Sequence, residues 1–429
     1  MRHRCAVFVG LVVWFSISAN AQQLGIIVRD GNGGSDLASV CSSLGCTVVS
    51  NLGDPQSQVF LVTPVGVSLA TLLASLQVQP SIVDAELDQL ISLESPSLNS
   101  IPGGLTDTTP VNYYGSSAWD GYVNQPANQL VNTLKTQVQF QVTGSGIVAM
   151  IDTGLDPTHP ALAPVALPGY DFTRNSQQAD ETADLDHSTA AVLDQGGNEI
   201  PQFVWPYLVA VLTPAGAAAL GDPQYAAFGH GTMTAGIVHM VAPTALILPL
   251  KAFGADGTGS LSNIVRAVYF AAASHANVIS MSFEVSKYSA EFAKAINYVN
   301  KRGLMCVASS GNDGQEIQVY PASLPGVMGV ASTSDTDTRS TFSNYGSQVV
   351  WVAAPGENIV STYPYGTYSS SSGTSFSAPF VSGTVALLLN VNSNLNQSGA
   401  AAAIAHAVNV GQDLNNGRLD TYQAVGSLK

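Results

Sequence analysis

"GIVAMIDTG", residues 146–154, places five apolar side chains in succession (Ile147 to Ile151), closes them with Asp152 and turns at Gly154. A half-exposed strand alternates apolar with polar residues. A run that is apolar at every position must be buried on both faces, which is the condition of a strand inside a parallel sheet. "ALILPLKAF" (245–253), "NVISMSF" (277–283), "GLMCVASSG" (303–311) and "VMGVAS" (327–332) have the same character. Between them, "LSNIVRAVYFAAASH" (261–275) and "YSAEFAKAINYVNKRG" (288–303) carry helical periodicity. Strand and helix signals in alternation predict an α/β fold of three layers, a mainly parallel sheet covered by helices on both faces.

The bulk properties limit what such a chain does. Its 429 residues suffice for more than one domain and a sizeable core. With 46% hydrophobic residues, only 10% charged and a net charge of −15, it is globular and acidic. Phosphate backbones and anionic membranes would repel it, so nucleic acid is not an expected partner.

The N-terminus reads as a secretory signal peptide, residues 1–21. A basic "MRHR" precedes the apolar "CAVFVGLVVWFSIS" and the small-residue "ANA", with cleavage expected after Ala21. The apolar core is too short to span a bilayer comfortably, so export with no membrane span after signal removal is expected. Three cysteines then remain, Cys41, Cys46 and Cys306. The first two are close enough to bridge if the turn between them permits it, and the sequence leaves that open. Cys306, inside an apolar run, reads as a buried inert thiol.

Within residues 22–95 the signals run β-α-β-β-α-β, the pattern of a small ferredoxin-like α+β unit. "DGNGGSD" (30–36) reads as a turn, since no glutamate closes it as a calcium loop. Residues 96–129, rich in Ser, Pro, Gly and Asn, read as a linker or N-terminal arm, and 130–429 as the main domain. An irregular stretch at about 171–228 interrupts that domain. Its acidic "ADETADLDHS" (179–188) reads as solvated loop charge. Its apolar "FVWPYLVAVLTPAGAAAL" (203–220), broken by Pro206, Pro214 and Gly216, reads as a hairpin or flap rather than a span.

Three motifs fall at strand ends or helix starts, where α/β proteins place their chemistry: Asp152 after its strand, His230 in "GHGTMTAGIV", and Ser375 in "GTSFSAP". Singly, each has an ordinary explanation as a cap or turn residue. In the order Asp, His, Ser they form a possible triad, in which an imidazole takes the proton of a serine and a carboxylate holds the imidazole. "IDTG", "GHGT", "SSGN" and "GTSFSAP" together resemble the subtilisin-family serine proteases (subtilases, peptidase family S8), secreted with a signal peptide and an inhibitor-type propeptide. The sedolisin-type peptidases share a "GTS" serine but use glutamate for the histidine and aspartate at the oxyanion position, where this chain has His230 and Asn312.

The resemblance implies a secreted serine endopeptidase with a subtilisin-like domain, catalytic Asp152, His230 and Ser375, and Asn312 as oxyanion donor. It implies that 22–95 is a propeptide acting as intramolecular inhibitor, released within the 94–130 connection, and that substrates are proteins or peptides. Gly257, Thr258 and Gly259 correspond to the edge strand that pairs with substrate. Ser282 and Phe283 correspond to the opposite rim, and Val319 to the pocket floor, which together suggest small or medium apolar residues at the cleavage site. No cofactor is required for the chemistry. Structural calcium is common in the family, but its ligands here are unknown.

Overall fold

The computed structural model describes residues 25–93, 106–185, 209–210 and 222–429. The signal-peptide reading, the start of the 96–129 linker and most of the 171–228 insertion, including the apolar 203–220 run apart from Val209–Ala210, lie outside the described residues.

The apolar runs form an eight-stranded sheet. In spatial order its strands are Ser176–Gln177, Tyr170–Asp171, Leu246–Lys251, Ile147–Asp152, Val278–Met281, Met305–Ser309, Val327–Thr333 and Val352–Pro355. All pair in parallel except the first, which turns back on its neighbour. Alternation along these strands divides the core in two. Val148, Met150, Ile247, Val307 and Val330 join the helices His230–Val241 and Thr374–Val391. Ala149, Ile151, Leu250, Cys306 and Ala308 point the other way, to the helices Leu261–Ala273 and Ala290–Lys301. The result is an α/β fold with a helical layer on each face of the sheet.

Strand order fixes where a site can form. The chain passes from Ile147–Asp152 to Leu246–Lys251 on one side, then crosses to Val278–Met281 on the other. Asp152 therefore ends the strand at which the winding reverses. There the loops leave in opposite directions and open a crevice beyond the carboxyl ends.

Thr374–Val391 is long and apolar enough to cross a membrane by composition, but 89% of that window is buried inside the protein. It is the central core helix. The C-terminal "NNGRLDTYQAVG" supplies the helix Thr421–Gly426, and its Arg418 makes isolated bridges to Ala353 and Val408. Residues 106–129 hold more structure than their composition suggests: a hairpin (Pro110–Tyr113 with Ser116–Trp119) and two short helices, Asp120–Val123 and Pro126–Leu130. Buried tyrosines fasten this arm, since the Tyr122 hydroxyl donates to Gly236 O at 2.6 Å.

Residues 25–93 build a four-stranded antiparallel sheet in the order Cys46–Asn51, Val59–Pro64, Ile26–Asp30, Ile82–Leu87. The helices Leu37–Leu44 and Leu69–Leu76 lend it their own small core. A Cys41–Cys46 disulfide closes the first helix onto the second strand. A final short strand, Leu90–Ser92, leaves this unit and pairs antiparallel with Thr258–Ser260 of the large domain.

Phe380 is wholly buried within the Thr374–Val391 helix. Phe380→Ala removes the ring and leaves a cavity, with an expected loss of about 3–5 kcal/mol. Guanidinium unfolding of inhibited wild type and variant measures it.

Candidate active site

Asp152 is buried at the end of its strand and both of its oxygens are engaged. Oδ1 accepts from Thr153 N at 2.7 Å and lies 2.7 Å from His230 Nδ1. Oδ2 accepts from the Thr234 hydroxyl at 3.0 Å. Three donors on one carboxylate offset the desolvation of its charge.

His230 is the first residue of its helix. Gly229 before it is left-handed (φ 88°), and Gly231 after it meets the Asp152–Gly154 turn so closely that a Cβ would stand 2.0 Å from Gly154 O. Only glycine lets helix and turn touch. Burial disfavours the charged imidazole. The Asp152 charge and hydrogen bond outweigh that, with a smaller push from Glu181, and hold His230 above the ordinary histidine range. Its Nε2 is buried and has no hydrogen-bond partner.

Ser375 is the second residue of the Thr374–Val391 helix, and Phe376 beside it lies 5.4 Å from the His230 ring, centroid to centroid. In this structure the Ser375 hydroxyl donates to Ser282 O at 3.1 Å rather than to His230. Pro379 shapes this corner. Lacking an N–H, it cannot bond the carbonyl four residues back, that of Ser375. The Ser282 hydroxyl takes that place, donating to Ser375 O at 2.9 Å. Asn312 Oδ1 accepts from Thr374 N at 2.9 Å and from the Thr374 hydroxyl at 3.0 Å. The amide oxygen is thus committed to the head of the serine helix.

The rim residues expected from sequence divide into two groups. Thr258 and Gly259 pair with Ser92 and Ile91, and Gly257 O accepts from Leu93 N at 2.9 Å. The edge strand is therefore covered by the chain's own 90–93 segment. Ser282 touches Ser375, as above. Phe283 is buried between Phe253 (5.2 Å) and Phe292 (6.4 Å), so its ring belongs to the core rather than to an open rim. Val319 is also buried, beside the bridge of Val285 to Tyr320. Among the described residues no three His, Cys, Asp or Glu side chains assemble as a metal site, so no ligand is assigned to calcium.

Sequence reasoning missed four residues here: Thr153, Thr234, Glu181 and Lys251. The structure also differs from the expectation of solvated acids at 179–188. Glu181 is wholly buried, and Asp184 is mostly buried and bonded to Lys251 and Arg174.

A carboxylate–imidazole pair beside a helix-borne serine, at the switch point of a parallel sheet, is an arrangement suited to acyl transfer. The Subtilase family model matches residues 144–426. Thermitase of Thermoactinomyces vulgaris is 33% identical over 297 residues, covering 66% of this chain and 89% of that protein. The thermophilic serine proteinase of Bacillus sp. (strain AK1) is 32% identical over 341 residues, 77% of this chain and 74% of that one. The crystal structure of a lanthipeptide protease shares the fold, with a TM-score of 0.55 at 22% identity, over 71% of this chain and 95% of that chain. The protein is a serine-type endopeptidase. It belongs to the subtilase family.

Thr234→Val keeps the shape of the side chain but removes the donor to Asp152 Oδ2, leaving a buried carboxylate oxygen short of a partner. A stability loss of about 1–3 kcal/mol is expected in thermal or denaturant unfolding, where an exposed threonine would show almost none.

Proposed function

We propose that the chain is an exported endopeptidase that matures itself, with Asp152, His230 and Ser375 as its triad. The Ser375 oxygen attacks the scissile carbonyl as its proton passes to His230 Nε2, and Asp152 stabilises the imidazolium that forms. Negative charge on the carbonyl oxygen is met by the Asn312 amide and by the Ser375 N–H at the positive end of its helix. Collapse of the tetrahedral intermediate breaks the C–N bond. The leaving amine takes the proton from His230 and the acyl group stays on Ser375. Water, deprotonated by His230, then releases the acid.

The observation that carries self-maturation is the pairing of Leu90–Ser92 with Thr258–Ser260. An extended segment bonded to an edge strand is how a protease presents a peptide, by main-chain hydrogen bonds added to a sheet. Here that segment belongs to the same chain, as a bound propeptide requires. The docking of residues 25–93 supports the same reading. Glu86 accepts from Ala290 N at 3.0 Å and Asp88 from Ser262 N at 2.8 Å, so each caps a helix of the large domain. Arg29 bonds the fully buried Glu291 at 2.6 Å. Export is supported by residues 1–21 and by the Cys41–Cys46 disulfide, which fits an oxidising compartment.

Secreted wild type and Ser375→Ala test this side by side. Wild type is expected to lose the small unit, to show a new N-terminus between residues 94 and 130, and to digest denatured protein. Ser375→Ala is expected to keep full length after signal removal and to resist acylation by a serine-directed reagent. A Ser375→Ala chain that still digests protein would sink the assignment.

The pH dependence has a definite sign. Neutral His230 is the base, and its folded value lies above the ordinary 6.5, so kcat/KM is expected to fall with acid on a limb above pH 6.5. A pH–rate profile on a peptide substrate reads that limb directly.

A further inference from the structure

Glu181 opens a one-turn helix, Glu181–Asp184, near the start of the insertion, and no part of it reaches solvent. Its Oε1 accepts from Gly229 N at 2.8 Å and from the Thr153 hydroxyl. Its Oε2 accepts from Thr232 N at 3.1 Å and from the Thr232 hydroxyl at 2.6 Å. Gly229 and Thr232 belong to the head of the histidine helix, whose glycine cap has no side chain to satisfy the first N–H groups. A carboxylate from about fifty positions away does so instead. The Thr153 hydroxyl in turn accepts from Gly231 N at 2.8 Å. Glu181 therefore binds the residues on both sides of His230 and the residue after Asp152.

The same turn braces the strand that neighbours Asp152. Lys251, fully buried, donates to Thr153 O and Phe253 O, each at 2.7 Å, and to Asp184 Oδ2 at 2.6 Å. The charged groups facing this corner are then few. Asp152 and Glu181 face His230, Lys251 and Asp152 face Glu181, and Asp184, bonded to Arg174, faces Lys251. Burial pushes the Glu181 carboxyl up to about 7, against the hydrogen bonds of Thr153 and Thr232 and the charge of Lys251.

We propose that Glu181 is a positioning residue for the Asp152–His230 pair: it fixes the head of the histidine helix and holds a second negative charge beside the imidazole. That charge favours the imidazolium of the transition state above about pH 7, and its loss as Glu181 takes up a proton below that range adds to the fall of activity in acid. The proposal rests on His230 being the general base, as assigned above.

The test compares matured wild type, Glu181→Gln, Glu181→Ala and Ser375→Ala as pH–rate profiles of kcat and KM on a peptide substrate. Glu181→Gln keeps the shape and loses the charge. It is expected to lower kcat about tenfold with KM unchanged, and to move the acid limb down by about half a pH unit or more. Glu181→Ala is expected to lose more kcat and to unfold at lower temperature as well. A Glu181→Gln profile that superimposes on wild type overturns the proposal, even if its melting temperature falls. If Ser375→Ala remains active, the failure belongs to the triad assignment instead. Should Glu181→Gln not accumulate, Thr153→Val decides. It cuts the relay to Gly231 while Glu181 keeps Gly229 and Thr232, so kcat is expected to fall at constant KM, and an unaltered kcat overturns the proposal.

Discussion

The site depends on one close approach, that of the Asp152–Gly154 turn to Gly231. The turn ends a strand and Gly231 opens a helix, and their backbones touch where any side chain would collide. That contact sets Asp152 at 2.7 Å from His230. It also explains why a glycine follows the histidine, whereas Gly154 answers to another neighbour, since a Cβ there would stand 2.6 Å from Ala179 O. Without it the strand end and the helix head would stand a side chain apart, and no rotamer choice would restore the hydrogen bond. The fold supplies the rest of the precision. Strand and helix are buried on nearly every side, so neither can shift without disturbing the core.

An exposed edge strand is a hazard to the protein that carries it. Thr258–Ser260 offers unpaired main-chain groups to any extended segment, including one from another copy of the protein. Pairing with Leu90–Ser92 fills those groups within the chain. The arrangement couples folding to restraint, because Glu86 and Asp88 cap two helices of the large domain while the segment beyond them covers the edge. Those helices, Leu261–Ala273 and Ala290–Lys301, form the layer behind the strands that carry Asp152 and Ser282. A unit that completes their ends therefore supports the sheet and covers the Thr258–Ser260 edge at once.

Much of this was legible in the sequence, for physical reasons that also mark the limit. Apolar runs such as 147–151 and 305–308 declared the parallel sheet because burial on both faces leaves no polar alternation. "GHGT" and "GTSFSAP" were legible because their glycines have few other uses at a helix head. Glu181 was not. In a loop of Asp, Glu and Thr, a buried carboxylate reads like any solvated acid, and its burial is decided by Gly229 and Thr232 on a helix about fifty residues away. The placement of the Phe283 ring was hidden too. Read as a rim residue, it turns inward because Phe253 and Phe292 offer it an aromatic core. The arm at 106–129 hid its hairpin and helices for a third reason. They are held by contacts such as the Tyr122 hydroxyl to Gly236 O and the Gln125 amide to the Val360 backbone, of which periodicity carries no trace.

Pro379 shows how a residue that weakens a helix can serve a site. In the interior of an ordinary helix it costs a hydrogen bond, with a penalty of about 3 kcal/mol. Here the carbonyl it strands is that of Ser375, and the Ser282 hydroxyl takes up that carbonyl. Ser282 O receives the Ser375 hydroxyl in return. The two serines thus form a reciprocal pair that ties the head of the serine helix to the strand beside Asp152. The Ser375 hydroxyl rests on a neighbour's carbonyl while His230 Nε2, buried and without a partner, has an unmet demand for a donor. Moving the hydroxyl from Ser282 to His230 exchanges one hydrogen bond for another and relieves a buried unsatisfied nitrogen. Pro379 leaves the Ser375 carbonyl without its helical donor, and that is what opens it to the Ser282 hydroxyl.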